Sequence, residues 1–377
     1  MDYLQRLQNA RRVVIKVGTS TLTHSTGKLN LNRMEKLVRQ LADLQNQGKE
    51  VVLVSSGAVG AGLGRLGLTE RPSSIVERQA MAAIGQGLLM QVYEKLFAEY
   101  GQIVAQVLLT RNDISDRKRY LNARNTILTL LQYRAVPVIN ENDTVATEEL
   151  KIGENDALSA LVAGLIEADL LILLSDIDGL FTADPRKDDS ASLIPFVPEI
   201  DQHIRSMAGG SGSFWGTGGM VTKIEAAQMA TAAGTSMVLM NGNDPSKIQA
   251  IFNGEQVGTV FLSAHNIVSS RKRWIAYGPQ INGEAVVDTG AEKALLRQGK
   301  SLLPSGICEV RGEFEEGDMI RITNSAGVEL GRGLTNYGRE NLQKILGKKS
   351  SEIETILGFH PADEVIHRDN LVITVLS

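Results

Sequence analysis

The chain has 377 residues, more than one hydrophobic core usually serves, and its 43% hydrophobic and 22% charged content excludes a disordered or fibrous protein and points to two globular domains. Its 39 basic and 43 acidic residues leave a formal charge of −4, which argues against a whole-protein electrostatic grip on nucleic acid or membrane. A single cysteine, Cys308, excludes an intrachain disulfide and Cys-rich zinc sites, and the five scattered histidines form no HExxH motif.

In chain order, Val13–Val17 is an apolar run ending at Gly18 and reads as a buried strand. Met34, Leu37, Val38, Leu41 and Leu44 then recur at helical spacing, and Gly48 closes that helix. The alternation continues with strand Val51–Val54, a helical region over Ile75–Tyr100, strand Ile103–Leu108, helix Leu121–Tyr133, strand Val136–Ile139, helix Ala157–Ile166 and strand Leu170–Leu174. A glycine-rich stretch, Gly209–Gly219, leads into helix Thr222–Ala233, strand Met237–Met240, a short helix after Pro245 and strand Val257–Leu262. Apolar strands alternating with amphipathic helices imply a parallel sheet covered on both faces, with ligands beyond the carboxyl ends of the strands.

The character changes after about residue 265, where Ser269–Arg273 is polar and basic. Short β-like pieces follow at Glu284–Val287, Ile307–Val310, Met319–Ile322, Val365–His367 and Leu371–Val375, with helical patterns at Ala291–Gln298 and Arg339–Leu346. The expected division is residues 1–265 as a catalytic domain, 266–282 as a linker and 283–377 as a small mixed-β domain. The N-terminus lacks the apolar segment of a secretory signal. The longest apolar stretch, Leu158–Leu174, is broken by Glu167 and Asp169, so no membrane span is expected and the expected location is cytoplasmic.

Several polar clusters fall at the carboxyl ends of the expected strands or at the helix starts beyond them. Lys16, inside an apolar strand, is costly to desolvate unless an anion meets it; it is either a ligand-binding cation or a salt-bridged one. Gly218-Gly219-Met220-Val221-Thr222-Lys223 enters a helix whose free N–H groups suit an anion, although a glycine hinge would look the same. Lys223 near that N-terminus opposes the helix dipole, a local cost that an anionic ligand would offset. Ser55-Ser56-Gly57-Ala58 presents hydroxyl and N–H donors, or is an ordinary strand–helix turn. Asn140-Glu141-Asn142-Asp143 is either turn chemistry or a polar site, and Gly153-Glu154-Asn155-Asp156 either caps the next helix or serves a ligand. Ser175-Asp176 ends another strand.

One nominal dinucleotide fingerprint, Gly62-Leu63-Gly64-Arg65-Leu66-Gly67, lies too far beyond its strand and lacks the following acidic residue, and no P-loop sequence is present. Two lysines with acidic and amide clusters, and no nucleophile–base pair, suggest phosphoryl transfer by positioning and charge neutralisation.

These segments resemble the amino acid kinase family. The matching stretches are Val14–Ser20, Ser55–Ala58, Leu109–Arg111, Leu121–Arg124, Val136–Asp143, Lys151–Ala160, Gly179–Arg186 and Gly216–Met220. Leu302–Ile307 and Gly312–Asp318 resemble the PUA domain that many bacterial members carry. Two small departures are Ser175, where threonine is common, and Glu154, where aspartate is common. The resemblance implies a three-layer αβα sandwich with a mainly parallel central sheet, plus a small mixed-β PUA domain.

By the same resemblance, the reaction is ATP-dependent phosphorylation of the γ-carboxylate of L-glutamate, the first step of proline biosynthesis, with Mg²⁺ bridging the ATP phosphates and proline as feedback inhibitor. Lys16, Lys223 and Asp156 carry over as catalytic residues, and Ser56, Gly57, Asn140, Asp143 and Asn155 as glutamate contacts. Lys16, Ser175, Asp176, Thr217, Gly218, Gly219, Met220, Val221, Thr222 and Lys223 carry over as ATP contacts. The family suggests a homo-dimer or tetramer, with the next pathway enzyme as a conceivable partner. Two rivals are a sister kinase acting on N-acetylglutamate, aspartate, carbamate or UMP, and an RNA-binding protein using the PUA module, against which the net acidity speaks.

Overall fold

The computed structural model describes all residues except 1–2, 25, 69–71, 73, 147–154, 208–218, 264–280, 360–361 and 375–377. The chain forms two compact units, Met1–Ile267 and Val268–Ser377. Most of the expected linker lies outside the described residues.

The first unit runs α1 (Tyr3–Gln8), β1 (Arg12–Val17), α2 (Thr19–Leu22), α3 (Leu31–Asn46), β2 (Glu50–Ser55), α4 (Ala58–Leu66), α5 (Ile75–Ala98), β3 (Ile103–Leu109), α6 (Arg111–Ser115), α7 (Arg117–Gln132) and β4 (Ala135–Glu141). It continues through α8 (Asn155–Leu165), β5 (Leu170–Ser175), β6 (Phe196–Val197), α9 (Gln202–Met207), α10 (Met220–Ala232), β7 (Ser236–Asn241), α11 (Lys247–Phe252) and β8 (Thr259–Phe261). The strands make one sheet in the order β3-β4-β2-β1-β5-β7-β8-β6. Every pairing is parallel except β7 with β8, which is antiparallel. The expectation of a mainly parallel sheet holds; the short run at Val257–Leu262 carried no sign of its direction.

Alternation along β1 divides the layers. Val13, Ile15 and Val17 join the core formed with Met34, Leu37, Val38 and Leu41 of α3 and Leu89, Tyr93 and Phe97 of α5. Each such fully buried aliphatic side chain contributes roughly 1.5–3 kcal/mol relative to exposure. Val14 and Lys16 therefore face the opposite layer, where α8 packs on β1 and β5 and α10 packs on α8 and β7. Helix ends follow local chemistry. Asn30 Oδ1 accepts from the Arg33 N–H at 3.1 Å at the start of α3, and Ser74 with Glu77 forms a capping box at the start of α5. Asp116 caps α7, which begins four residues before the expected Leu121.

Helix α4 was not foreseen, and it contains Gly62 and Gly64 of the nominal fingerprint. Their role is packing. A Cβ on Gly62 would lie 2.1 Å from the Met81 carbonyl oxygen, and one on Gly85 of α5 would lie 1.7 Å from that of Ala58. Helices α4 and α5 thus cross backbone to backbone, which only glycine permits.

The second unit is a five-stranded mixed sheet, β10-β9-β11-β12-β13, built from β9 (Ile281–Val287), β10 (Ile307–Gly312), β11 (Met319–Asn324), β12 (Glu329–Leu334) and β13 (Leu371–Ile373). Helices Thr289–Gln298 and Arg339–Lys344 accompany it, and it has its own core including Ile320, Ile322, Tyr337, Leu342, Ile353 and Val365. Val365–His367, expected as a strand, contributes only a single bridge from Ile366 to Leu302. Across the sheet, Arg311 and Arg321 flank Glu284 at 3.5 Å each, Arg311 also meets Glu309 at 2.8 Å, and Arg332 meets Glu329 at 2.6 Å.

Candidate active site

Strand β1 leads to β2 on one side, while its other neighbour β5 leads on to β6 and β7 on the far side, so a crevice is expected beyond the carboxyl ends of β1 and β5. Lys16 is the penultimate residue of β1 and emerges on the face covered by α8 and α10. Asp156 stands in the first turn of α8, and Lys223 is the fourth residue of α10. These three side chains converge. Lys16 Nζ lies 2.5 Å from Asp156 Oδ1 and Lys223 Nζ lies 3.3 Å from Asp156 Oδ2. Thr222 Oγ1 is 3.2 Å from the same Oδ2.

All three charges are almost removed from water, with relative exposures of 8% for Lys16, 1% for Asp156 and 7% for Lys223. Burial pushes the Asp156 carboxyl toward its neutral form, but the two ammonium groups outweigh it and hold the pKa below the usual carboxylate range. The triad carries two positive charges against one negative. Within this water-poor cluster Lys16 is salt-bridged, one of the two readings its sequence position left open.

A second cluster sits at the ends of β2 and β4. Asn155 Nδ2 lies 2.8 Å from Ser56 Oγ, 2.9 Å from Asn140 Oδ1 and 3.2 Å from the Ser55 carbonyl oxygen. Asn155 therefore ties the start of α8 to the ends of β2 and β4, and its neighbour Asp156 serves the lysines. Asn140 Nδ2 donates to Gln86 Oε1 at 2.9 Å, and Ser55 Oγ pairs with the Tyr93 hydroxyl at 2.8 Å. Burial raises the Tyr93 pKa, so the phenol stays neutral. Gly57 turns the chain from β2 into α4 at a φ of +96°, a left-handed conformation that favours glycine. Asp143 is half-buried in the turn after β4.

Ser175 ends β5 beside β1, and its hydroxyl donates to Asp176 Oδ1 at 3.1 Å. Gly219, Met220, Val221 and Thr222 form the start of α10, whose N-cap Gly219 offers no side-chain acceptor for the first N–H groups. Thr217, Gly218 and Glu154 lie outside the described residues. Of the residues singled out in sequence, Lys16, Asp156, Thr222 and Lys223 form one group and Ser56, Asn140 and Asn155 another, adjoining at Asn155–Asp156, while Ser175 and Asp176 stand at the end of β5. Gln86 and Tyr93 were missed; the interior helical Gly85 beside Gln86 was the available signal, since such a glycine marks close packing. Among the described residues no helix is long and apolar enough to cross a membrane.

A model of the amino acid kinase family matches residues 11–241, and one of the PUA domain matches residues 283–357. The chain is 55% identical to a glutamate 5-kinase of Moorella thermoacetica, covering 97% of each protein. It is 56% identical to a glutamate 5-kinase of Caldanaerobacter subterraneus subsp. tengcongensis, covering 96% of this chain and 97% of that one.

Proposed function

The chain belongs to the amino acid kinase family, and from that premise we propose that it transfers the γ-phosphoryl group of ATP to the γ-carboxylate of L-glutamate, forming L-glutamyl 5-phosphate. The observation that carries this reading is the buried Lys16–Asp156–Lys223 triad beside the Ser56–Asn140–Asn155 cluster.

The acceptor carboxylate is already a nucleophile, so no general base is required. One of its oxygens forms a bond to the γ-phosphorus as the bond from that phosphorus to the bridging oxygen breaks, and ADP leaves with that electron pair. Lys16 and Lys223 neutralise the charge on the transferring group and its neighbours, and Asp156 holds both ammonium groups in place. Ser175, Asp176 and the segment from Thr217 to Lys223 hold the nucleotide, with the N–H groups at the start of α10 turned to phosphate use. With its oxygens engaged by two ammonium groups, Asp156 is a poor ligand for a metal. On this reading a Mg²⁺ ion would be held by ATP phosphate oxygens and water rather than by Asp156, and would supply further charge neutralisation.

Ser56, Gly57, Asn140, Asp143 and Asn155 make the acceptor pocket, in which Asp143 meets the α-ammonium group. Proline carries the same α-carboxylate and a neighbouring amine, so feedback inhibition at or beside this pocket follows, in a cytoplasmic enzyme of proline biosynthesis that assembles as a homo-dimer or tetramer. An RNA-binding role for the smaller domain is less well supported, because Arg311, Arg321 and Arg332 on its sheet are each engaged by a glutamate. The test is a coupled ADP-release assay with L-glutamate, N-acetylglutamate, aspartate, carbamate and UMP as acceptors. Turnover with glutamate well above the others is expected; a preference for any other acceptor overturns the reading.

A further inference from the structure

The orientation of three side-chain amides in the acceptor pocket follows from one backbone group. The Glu141 N–H can only donate, and it lies 2.9 Å from the side-chain amide of Asn140, so the atom facing it must be the carbonyl Oδ1. The Asn140 amide nitrogen then points the other way, toward Gln86 at 2.9 Å, and Gln86 must answer with Oε1. The same Asn140 Oδ1 lies 2.9 Å from the Asn155 side chain, which must answer with Nδ2. Asn155 Nδ2 also faces two further acceptors, Ser56 Oγ and the Ser55 carbonyl. The amide polarity of Asn155 is thereby set, with nitrogen toward the protein and Oδ1 on the other side of the group.

We propose that Gln86 is a positioning residue for the acceptor: while the Glu141 N–H holds Asn140 Oδ1, Gln86 Oε1 holds the opposite end of that amide, and together they keep Asn140 aimed at Asn155 so that the Asn155 amide oxygen stays available to a cationic amine. This rests on the acceptor-pocket reading above. An α-ammonium group needs acceptors, and an Asn155 turned the other way would offer it N–H donors instead. Gln86 is well placed for this task because it is half-buried on α5 directly after Gly85, whose missing Cβ lets the helix backbone reach the Ala58 carbonyl just beyond Ser56 and Gly57. The same helix fixes the far side of Ser55 through Tyr93. Helix α5 therefore carries the hydrogen-bonding support of the pocket without contributing to the lysine triad.

The experiment compares Gln86→Met, of similar shape but without the acceptor, with Gln86→Glu, whose carboxylate can still accept from Asn140. Steady-state kinetics are measured with glutamate and ATP varied separately, alongside thermal melting of both variants. Gln86→Met is expected to raise KM for glutamate by roughly 3- to 10-fold, the size of one hydrogen bond, with KM for ATP changed less than twofold. Gln86→Glu is expected to return KM for glutamate toward the parent value. An unchanged glutamate KM in Gln86→Met, or equal losses in both variants, overturns the positioning role. Absence of glutamate phosphorylation by the parent protein would instead overturn the functional reading itself.

Discussion

Lys16 of β1 and Lys223 of α10 share one counter-ion, reaching the two oxygens of Asp156 at 2.5 and 3.3 Å. Two ammonium groups largely out of water repel unless an anion lies between them, so one carboxylate holds both lysines in place. Replacing Lys16 or Lys223 by alanine should lower kcat by ~10²–10³, as for loss of one preorganised charge stabiliser. Because alanine leaves Asp156 with one cation, the folded state should survive, and circular dichroism beside turnover measurements separates the two effects. Near-normal turnover in either variant would make that lysine structural.

Asp156→Asn has the opposite balance. It leaves two buried ammonium groups facing a neutral amide, and breaking a buried ion pair from one side costs about 3–5 kcal/mol. The sign of the pH dependence follows from the depressed Asp156 pKa. The carboxylate contributes its stability in full above the unfolded value of about 4 and loses it as pH falls through the lower folded value. Urea melts should therefore show a large gap between parent and Asp156→Asn at neutral pH that narrows in acid below about pH 4. A gap independent of pH would mean that charge is not what Asp156 supplies.

The crossing of α4 and α5 gives a paired test. Gly85→Ala places a methyl group 1.7 Å from the Ala58 carbonyl oxygen, so the helices must separate. Overpacking of this kind costs typically 1–3 kcal/mol, and the pocket formed by Ser56 and Gly57 at the start of α4 should loosen with it. Gly87→Ala on the same helix meets nothing within 4 Å and should stabilise by about 0.5–1 kcal/mol. Chemical denaturation of the two variants reads both signs in one series.

Asp143→Asn should raise KM for glutamate, leave KM for ATP nearly unchanged and weaken inhibition by proline, because an amide cannot pair with an ammonium group as a carboxylate does. Initial rates at several fixed glutamate concentrations decide the inhibitor's place. If saturating glutamate fails to relieve proline inhibition, the regulatory site lies elsewhere.

Ending the chain after Ile267 should leave a folded kinase, since the first unit has its own core and every residue proposed for the chemistry precedes that point. The readouts are a cooperative melt and turnover. A folded fragment without activity would show that the smaller domain takes part in the site.

Much of this was legible in the linear chain. Five consecutive buried residues in β1 announce a strand covered on both faces, and a lysine among them announces a charge that must be met. The apolar stripe of α3 and the polar clusters after β2, β4 and β5 are likewise local chemistry, readable from spacing. The direction of β8 was not readable, because three buried residues pair equally well either way until β7 is beside them. Helix α4, short and rich in glycine, has weak helical propensity of its own and depends on α5 packed against it. Strand β12 was missed for a similar reason, two of its six residues being glycine. The linkage from Gln86 to Asn140 to Asn155 joins a helix, a strand end and another helix start, and its polarity originates in the N–H of Glu141. Sequence determined which residues could hydrogen-bond or carry charge; only the tertiary fold decided which atoms face each other, because amide orientation depends on neighbours distant in the chain.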